Sequence, residues 1–247
     1  MYTEERQLLS EKYGGVPGLE FEEDRRRLRK GEPLAYLIGH QPFLGLTIHL
    51  DSRPLIPRPE TEWWTEKLLT GLPLHLREKP IQFLDLCAGS GAIGLAALRY
   101  LQNAHVYFGD IDSTHEKTIR KNIRENSLDG SRSSLRTGDL FFPFENDTFE
   151  IIAVNPPYVP EGRALPTSVT EYEPARALYA GPDGLSFIRR IAHSLPVHLA
   201  RDGAAWIECD STHASAARDL FRETPLSANV MHDQYGQPRI IVVSWKS

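Results

Sequence analysis

One stretch restricts the fold of this chain more than any other. Ile151-Ile152-Ala153-Val154 is an unbroken apolar run that stops at Asn155-Pro156-Pro157-Tyr158. A short apolar run bounded by proline reads as a strand covered on both faces, as in a parallel sheet. The two prolines then fix φ and turn the chain out of the sheet. A side-chain amide, a proline carbonyl and an aromatic ring are left in a stiff loop at the carboxyl end of a strand, where open α/β sheets bind ligands. The group suits a planar NH2, with two acceptors for its hydrogens and a ring against its face. The plain alternative is a turn that merely ends a strand.

The rest of the chain supplies the sheet that such a strand needs. From residue 81 the pattern alternates: strand 81–86, helix 92–101, strand 106–109, helix 113–127, weak strand 134–137 and strand 149–154. Helix 185–199, strand 204–209 and helix 212–221 follow, then strands 229–232 and 239–245. Helices between strands predict right-handed parallel crossovers. The last two strands are too closely linked for a crossover and must be antiparallel. At 247 residues the chain holds one large α/β domain and a small appendage.

The appendage comes first. Residues 1–31 are polar, and 20–30 form a short helix with Glu22, Glu23 and Asp24 early and arginines late, as the helix dipole prefers. Gly14-Gly15 and Pro17-Gly18 interrupt anything longer, and with few apolar residues the segment has to lean on the main domain. Its basic run, residues 25–30, is a solvated helix face or a docking surface for a macromolecule. Phe43 to Leu50 reads as a β-hairpin around Gly45. Leu55-Ile56-Pro57-Arg58-Pro59-Glu60-Thr61-Glu62 then leads into a helix through Trp63, Trp64, Leu68 and Leu69. Arg58, Pro59 and Glu60 either only start that helix or form a wall of an active site. The expected division is a helical segment 1–35, a hairpin linker 36–57 and a main domain 58–247.

A second corner of the sheet carries a nucleoside signature. Asp85-Leu86-Cys87-Ala88-Gly89-Ser90-Gly91-Ala92-Ile93-Gly94 follows the first strand. Its glycines allow a sharp turn and a close backbone approach to a ligand. Asp110 ends the next strand, where a carboxylate accepts both hydroxyls of a ribose. Gly89, Gly91 and Gly94 formally satisfy G-x-G-x-x-G, so a dinucleotide dehydrogenase has to be weighed. Against it stand Asp85 in the turn approach, better suited to a cation than to a pyrophosphate, and the Asn-Pro-Pro-Tyr loop, which has no part in hydride transfer. Asp139 and Leu140 follow the third strand. They cover a base, with Asp139 accepting from its amine, or they are a turn Asp and a core Leu.

Composition excludes some partners. A net charge of -5 argues against a general electrostatic grip on nucleic acid. Two isolated cysteines, Cys87 and Cys209, make neither a disulfide framework nor a metal-ligand pattern, and they read as buried thiols in a reducing cytoplasm. The polar start and the absence of a long apolar run point to no signal peptide and no membrane span.

Taken together, Asp-Leu-Cys-Ala-Gly-Ser-Gly (85–91), Asp110 and Asn155 to Tyr158 resemble a class I S-adenosylmethionine-dependent methyltransferase acting on an amide or amine nitrogen. Four further motifs are similar to the release factor glutamine methyltransferase family (HemK/PrmC): residues 31–39, 55–62, 169–174 and 181–185. The resemblance implies a seven-stranded Rossmann-like domain, mostly parallel with a terminal antiparallel strand. It implies methyl transfer from S-adenosylmethionine, leaving S-adenosylhomocysteine, to the glutamine of the Gly-Gly-Gln motif of peptide chain release factors, with no metal. By position, Asp85 and Cys87 to Gly91 would line the methionine and ribose side, Asp110 the hydroxyls, and Asp139 and Leu140 the adenine. Asn155, Pro156, Pro157 and Tyr158 would hold the glutamine amide. Two departures stand out: family members carry a longer N-terminal helical domain, and a Trp often stands where this chain has Leu140. The rival readings are a small-molecule N-methyltransferase of the same descent, an adenine-N6 nucleic-acid methyltransferase, and a non-catalytic binding module.

Overall fold

The computed structural model describes residues 3–246. Three helices come first: α1 (Thr3–Tyr13), α2 (Leu19–Arg29) and α3 (Leu34–Ile38). An antiparallel hairpin follows, β1 (His40–Phe43) and β2 (Leu46–His49), then α4 (Pro59–Gly71) and α5 (Leu74–Glu78). From there the chain alternates through β3 (Ile81–Leu86), α6 (Ala92–Tyr100), β4 (Ala104–Asp110), α7 (His115–Glu125), β5 (Ser133–Thr137) and β6 (Phe149–Val154). A long excursion carries α8 (Thr167–Thr170) and a 3-10 turn at Ala175–Ala177. Then come α9 (Ser186–His198), β7 (Leu199–Glu208), α10 (Ala214–Asp219), β8 (Leu226–His232) and β9 (Pro238–Trp245).

Seven strands make one sheet in the order β5-β4-β3-β6-β7-β9-β8. β3 to β7 pair in parallel, and β9 runs antiparallel between β7 and β8. This is the class I methyltransferase fold. Neighbouring residues on a strand face opposite sides of the sheet, and the two cores follow that alternation. Phe83, Ile151, Ala153 and Ile240 pack with Trp64, Leu95 and Ile119 on one side. Leu84, Ile152, Val154 and Ile241 pack with Ile188, Ile191 and Ala217 on the other. From Ile151 onward both faces of β6 are therefore dry, which is why that run has no polar interruption. Burying each such Ile or Leu contributes about 1.5–3 kcal/mol.

The strand order places the site. β3 leads outward to β4 and β5, and the chain then returns to lay β6 on the other side of β3. Leu86 pairs with Gly109 on one side and Val154 on the other. Cys87, Asp110 and Asn155 are each the next residue along those three strands. The reversal therefore gathers the Gly-rich turn, the acidic strand end and the Asn-Pro-Pro-Tyr loop at one crevice, the switch point where α/β sheets bind ligands.

Several elements differ from expectation, two of them for a visible reason. β7 starts at Leu199 rather than 204, because a bulge between Phe149 and Ile151 on β6 lets Leu199 pair before Gly203 is reached. The helix expected at 212–221 is split: Asp210 Oδ1 accepts from the Thr212 amide and caps a 3-10 turn, and α10 begins only at Ala214.

The N-terminal segment has a small core of its own, completed by α3, whose Tyr36 packs into the main core. α1 was not foreseen. Its Leu8 packs with Phe21 of α2 and Leu37 of α3, and α3 spans the division expected at residue 35. Three arginines of the basic run pair with carboxylates of their own unit. Arg25 pairs with Glu22, Arg27 with Asp24 and Glu32, and Arg29 with Glu5. Burial pushes Asp24 up, but bonds from Lys12 and Tyr13 and the Arg27 charge outweigh it, and its pKa lies below the usual value. Glu32 is lowered in the same way, burial being outweighed by Arg27 and Arg53.

A carboxylate with a depressed folded pKa stabilises the fold above its unfolded pKa. That contribution is lost as pH falls through the folded pKa. Packing of α1 on α2 should therefore loosen in acid, from about pH 4 downward, before the sheet does. Hydrogen exchange should show α1 and α2 losing protection while β6 keeps it; simultaneous loss would contradict this.

The hairpin is docked by side chains that imitate a strand. Asn122 of α7 accepts from the His49 amide at 2.7 Å and donates to the His49 carbonyl at 3.2 Å. Asn126, one turn on, does the same with both backbone groups of Thr47. Asn122 also donates to the Ser90 carbonyl in the Gly-rich turn. Among the described residues no helix is long and apolar enough to cross a membrane.

Candidate active site

The Gly-rich turn closes on itself and on Asp110. The Gly91 amide donates to the Ala88 carbonyl at 2.7 Å, and Gly91 takes φ +80° where α6 begins. Asp110 Oδ2 accepts from the Gly89 amide at 2.8 Å, and its Oδ1 accepts from the Asp112 amide at 2.9 Å. Each carboxylate oxygen keeps a further lone pair for a ligand hydroxyl. Beside them runs a cavity walled by Cys87, Ala88, Gly89, Ser90, Asp110, Asp139, Leu140, Asn155 and Pro157. Ile111 and Phe187 add apolar surface. Cys87 (φ +60°) and Leu140 (φ +48°) are both left-handed without being glycine, a strain that clusters at ligand sites. Asp139 stands at the wall with its carboxylate accepting from Arg190 at 2.6 Å.

At the other end of the cavity Asn155 is held by one side of its amide. Its Nδ2 donates to Thr61 Oγ1 at 3.2 Å. Its Oδ1 is buried and has no hydrogen-bond partner. A buried acceptor without a donor costs about 1–3 kcal/mol, so this atom is waiting for an N–H or O–H. Behind Thr61 sits Glu208, 1% exposed at the end of β7. It accepts from Thr61 Oγ1 and Trp64 Nε1, each at 2.7 Å, and from the Tyr158 hydroxyl at 3.0 Å. Burial raises the Glu208 pKa above its ordinary value against the pull of those three donors.

With this geometry in view, comparison with known proteins is informative. A family described as Methyltransferase small domain matches residues 65–172. The chain is 34% identical to a release factor glutamine methyltransferase of Rhodopirellula baltica, over 90% of this chain and 76% of that protein. A relative of the same name from Thermodesulfovibrio yellowstonii is 32% identical over 98% of this chain and 85% of its own length. The chain belongs to the release factor glutamine methyltransferase family. Among solved structures, a methyltransferase from Pyrococcus furiosus superposes with a TM-score of 0.59 at 16% identity, covering 92% of this chain and 99% of its own. A ribosomal protein L11 methylase from Lactobacillus delbrueckii gives 0.56 at 16% identity, covering 84% and 91%. These two support the fold alone.

Within this release factor glutamine methyltransferase family member, some foreseen site residues lie off the cavity wall. Asp85 is wholly buried beneath the turn; its Oδ2 accepts from the Gly94 amide, and burial pushes its pKa well up. It shapes the turn from below. Gly91 and Pro156 are buried behind the wall. The Tyr158 hydroxyl is engaged by Glu208, and the residue is not part of the wall. Arg58, Pro59 and Glu60 do not line the cavity, whereas Leu55, Pro57 and Thr61 from the same motif do. Arg58 turns away to pair with buried Glu173 at 2.5 Å, and Glu173 also accepts from the Ile56 amide. The motif at 169–174 is thus a clamp on the motif at 55–62.

Thr61, Glu208, His115, Pro174 and Arg176 were missed. The signal for Glu208 was an acid at the end of the apolar run Ala204-Ala205-Trp206-Ile207, the strand position that Asp110 and Asn155 also hold. Among the described residues no group of three or more His, Cys, Asp or Glu could hold a metal ion.

The motif at 181–185 supports the Asn-Pro-Pro-Tyr loop from beneath. Val159 exchanges backbone bonds with Leu178 and Ala180. Gly184 has φ +72°, and a methyl group there would run into the Tyr158 carbonyl oxygen. Gly184→Ala combines a left-handed alanine with overpacking against backbone, so it should cost about 1–3 kcal/mol. Because the clash meets the loop itself, methyl transfer should fall more than the melting temperature predicts. Activity that merely tracks the folded fraction would refute that link.

Proposed function

We propose that this chain transfers a methyl group from S-adenosylmethionine to the side-chain nitrogen of a glutamine, in the Gly-Gly-Gln motif of a peptide chain release factor, in the cytoplasm. S-adenosylhomocysteine would be the second product. The observation that carries this reading is Asn155: its NH2 is tied to Thr61 and its buried carbonyl oxygen lacks a donor at the cavity wall. A carboxamide NH2 is the donor that fits.

The cavity fits the cofactor as well. The backbone of residues 87–90 would meet the methionine and ribose, Asp110 would accept the ribose hydroxyls, and Leu140 and Ile111 offer apolar surface to the adenine. When bound, S-adenosylmethionine supplies an electrophilic methyl with its own leaving group, so the chemistry calls for no metal. The amide nitrogen is a weak nucleophile, because its lone pair is delocalised into the carbonyl. The chain's part is to place that nitrogen in line with the methyl, and positioning alone is a large contribution. Asn155 Oδ1 would accept an amide hydrogen, a bond that strengthens as the nitrogen gains positive charge and so favours the transition state over the bound substrate. The proton leaves to water after transfer.

The test is labelling. The chain is incubated with methyl-labelled S-adenosylmethionine and a purified release factor, beside the same factor with its motif glutamine changed to alanine. Label on the unaltered factor only is the expected result. Label on neither, or equally on both, overturns the reading.

A further inference from the structure

Asn155 has two chemically opposite faces on one side chain, an acceptor oxygen and a donor NH2 of nearly equal size. Which face meets the substrate is not decided by Asn155 itself. Nor does the loop decide it, since a half-turn of the amide fits the same space. The decision lies one and two side chains away.

The indole Trp64 Nε1–H is a donor and nothing else. It lies 2.7 Å from Glu208 Oε2, so that oxygen acts as an acceptor. Thr61 Oγ1 meets the same oxygen at 2.7 Å, and the Tyr158 hydroxyl meets Oε1 at 3.0 Å. An ionised carboxylate accepts all three. A threonine hydroxyl has one hydrogen, and here it points to Glu208. Toward Asn155, Thr61 therefore presents only lone pairs. The Asn155 NH2 can donate to them at 3.2 Å, whereas a reversed amide would set oxygen against oxygen. The carbonyl face is left over, and it is the atom that remains buried and unpaired. Thr61 and Trp64 lie one turn apart on α4, and Glu208 ends β7, the strand beside β6. Rigid elements thus hold the relay on both sides.

We propose that Glu208 and Thr61 are positioning residues that fix the polarity of the Asn155 amide, so that the site selects a hydrogen-bond donor, a carboxamide, over an isosteric carboxylate. This rests on the glutamine reading above. It also gives the carboxylate at the end of β7 a task distinct from folding. Glutamate has the shape of glutamine and no NH2, and an acceptor facing it is repulsive. Specificity built on an opposed pair of acceptors is stronger than specificity from fit alone.

Thr61→Val is the decisive variant, because it keeps the shape and the Glu208–Trp64 and Glu208–Tyr158 bonds while removing the hydroxyl. Thr61→Ser is its control, and two readouts are taken. Turnover on the unaltered release factor should fall roughly 10- to 100-fold in Thr61→Val, less than the ~10²–10³-fold of losing a transition-state hydrogen-bonding group outright, because Asn155 itself is kept. It should stay within a factor of a few in Thr61→Ser, with cofactor affinity unchanged in both.

The second readout is inhibition by a release factor whose motif glutamine is replaced by glutamate. Thr61→Val frees the Asn155 NH2 to face that carboxylate, so the inhibitor should bind more tightly to Thr61→Val than to the parent enzyme. General loosening of the site would weaken it instead. Weaker or unchanged inhibition, or a Thr61→Ser variant as impaired as Thr61→Val, overturns the proposal. If the parent enzyme labels no release factor at all, the function assignment has failed. If it labels the factor and Thr61→Val behaves like the parent, only this proposal has.

Discussion

Asn155→Ala should lower methyl transfer by roughly 10²-fold or more, the scale of losing one group that stabilises developing charge, and leave cofactor binding intact. The separation follows from where the residue stands. Asn155 is the first residue beyond β6, across β3 from Asp110, and its side chain bonds to Thr61, not to the Gly-rich turn. That side-chain bond to Thr61 is long at 3.2 Å, so the fold loses about 1 kcal/mol from that contact. The lost acceptor, by contrast, binds more strongly as the nitrogen becomes cationic, so its removal falls on the rate constant. Single-turnover rates at saturating cofactor, with calorimetry for the cofactor itself, separate the two. Near-parental turnover in the mutant would end the assignment of Asn155 to the reaction.

Asp110→Ala should do the reverse. Cofactor affinity should fall roughly 10²-fold or more, since each bond to a charged acceptor contributes about 1.5–3 kcal/mol and 1.4 kcal/mol is tenfold in Kd. The carboxylate has two tasks in the structure. It offers acceptors at the cavity wall, and it anchors the Gly89 amide at 2.8 Å. Asp110→Asn keeps an acceptor and most of the shape, so it should lie between the parent and Asp110→Ala. Turnover of Asp110→Ala should recover when cofactor is raised well above its new Kd, because Asn155 and Thr61 are untouched. Unchanged affinity by calorimetry would remove Asp110 from the ribose role.

The sheet was legible because its signals are local. β3 and β6 are apolar runs ended by sharp turns, and the alternation with helices leaves few topologies. The Gly-rich turn, Asp110 and Asn155 were legible for the same reason: each sits directly after a strand, and strand order decides their meeting. What escaped was long-range. Thr61 is 147 residues from Glu208 and 94 from Asn155, and no spacing rule connects them. Arg58 looked like a site residue because it sits in the right motif, yet its partner is Glu173, 115 residues on. Tyr158 was expected to face the substrate, but its hydroxyl found a buried carboxylate whose place on β7 no pattern disclosed. The N-terminal core was missed because Leu8, Phe21 and Leu37 are too widely spaced to show as one amphipathic stripe.

The asparagines of α7 carry one more consequence. A hairpin strand with an open edge displays a row of unpaired amides and carbonyls, and a second extended chain can add to it. On β2 those groups at Thr47 and His49 are already taken by Asn126 and Asn122. The hairpin is thereby closed to templated growth by two side chains rather than by another strand. Removing the Asn126 amide, which touches only the hairpin and its own helix end, would reopen part of that edge, and self-association would be its first symptom.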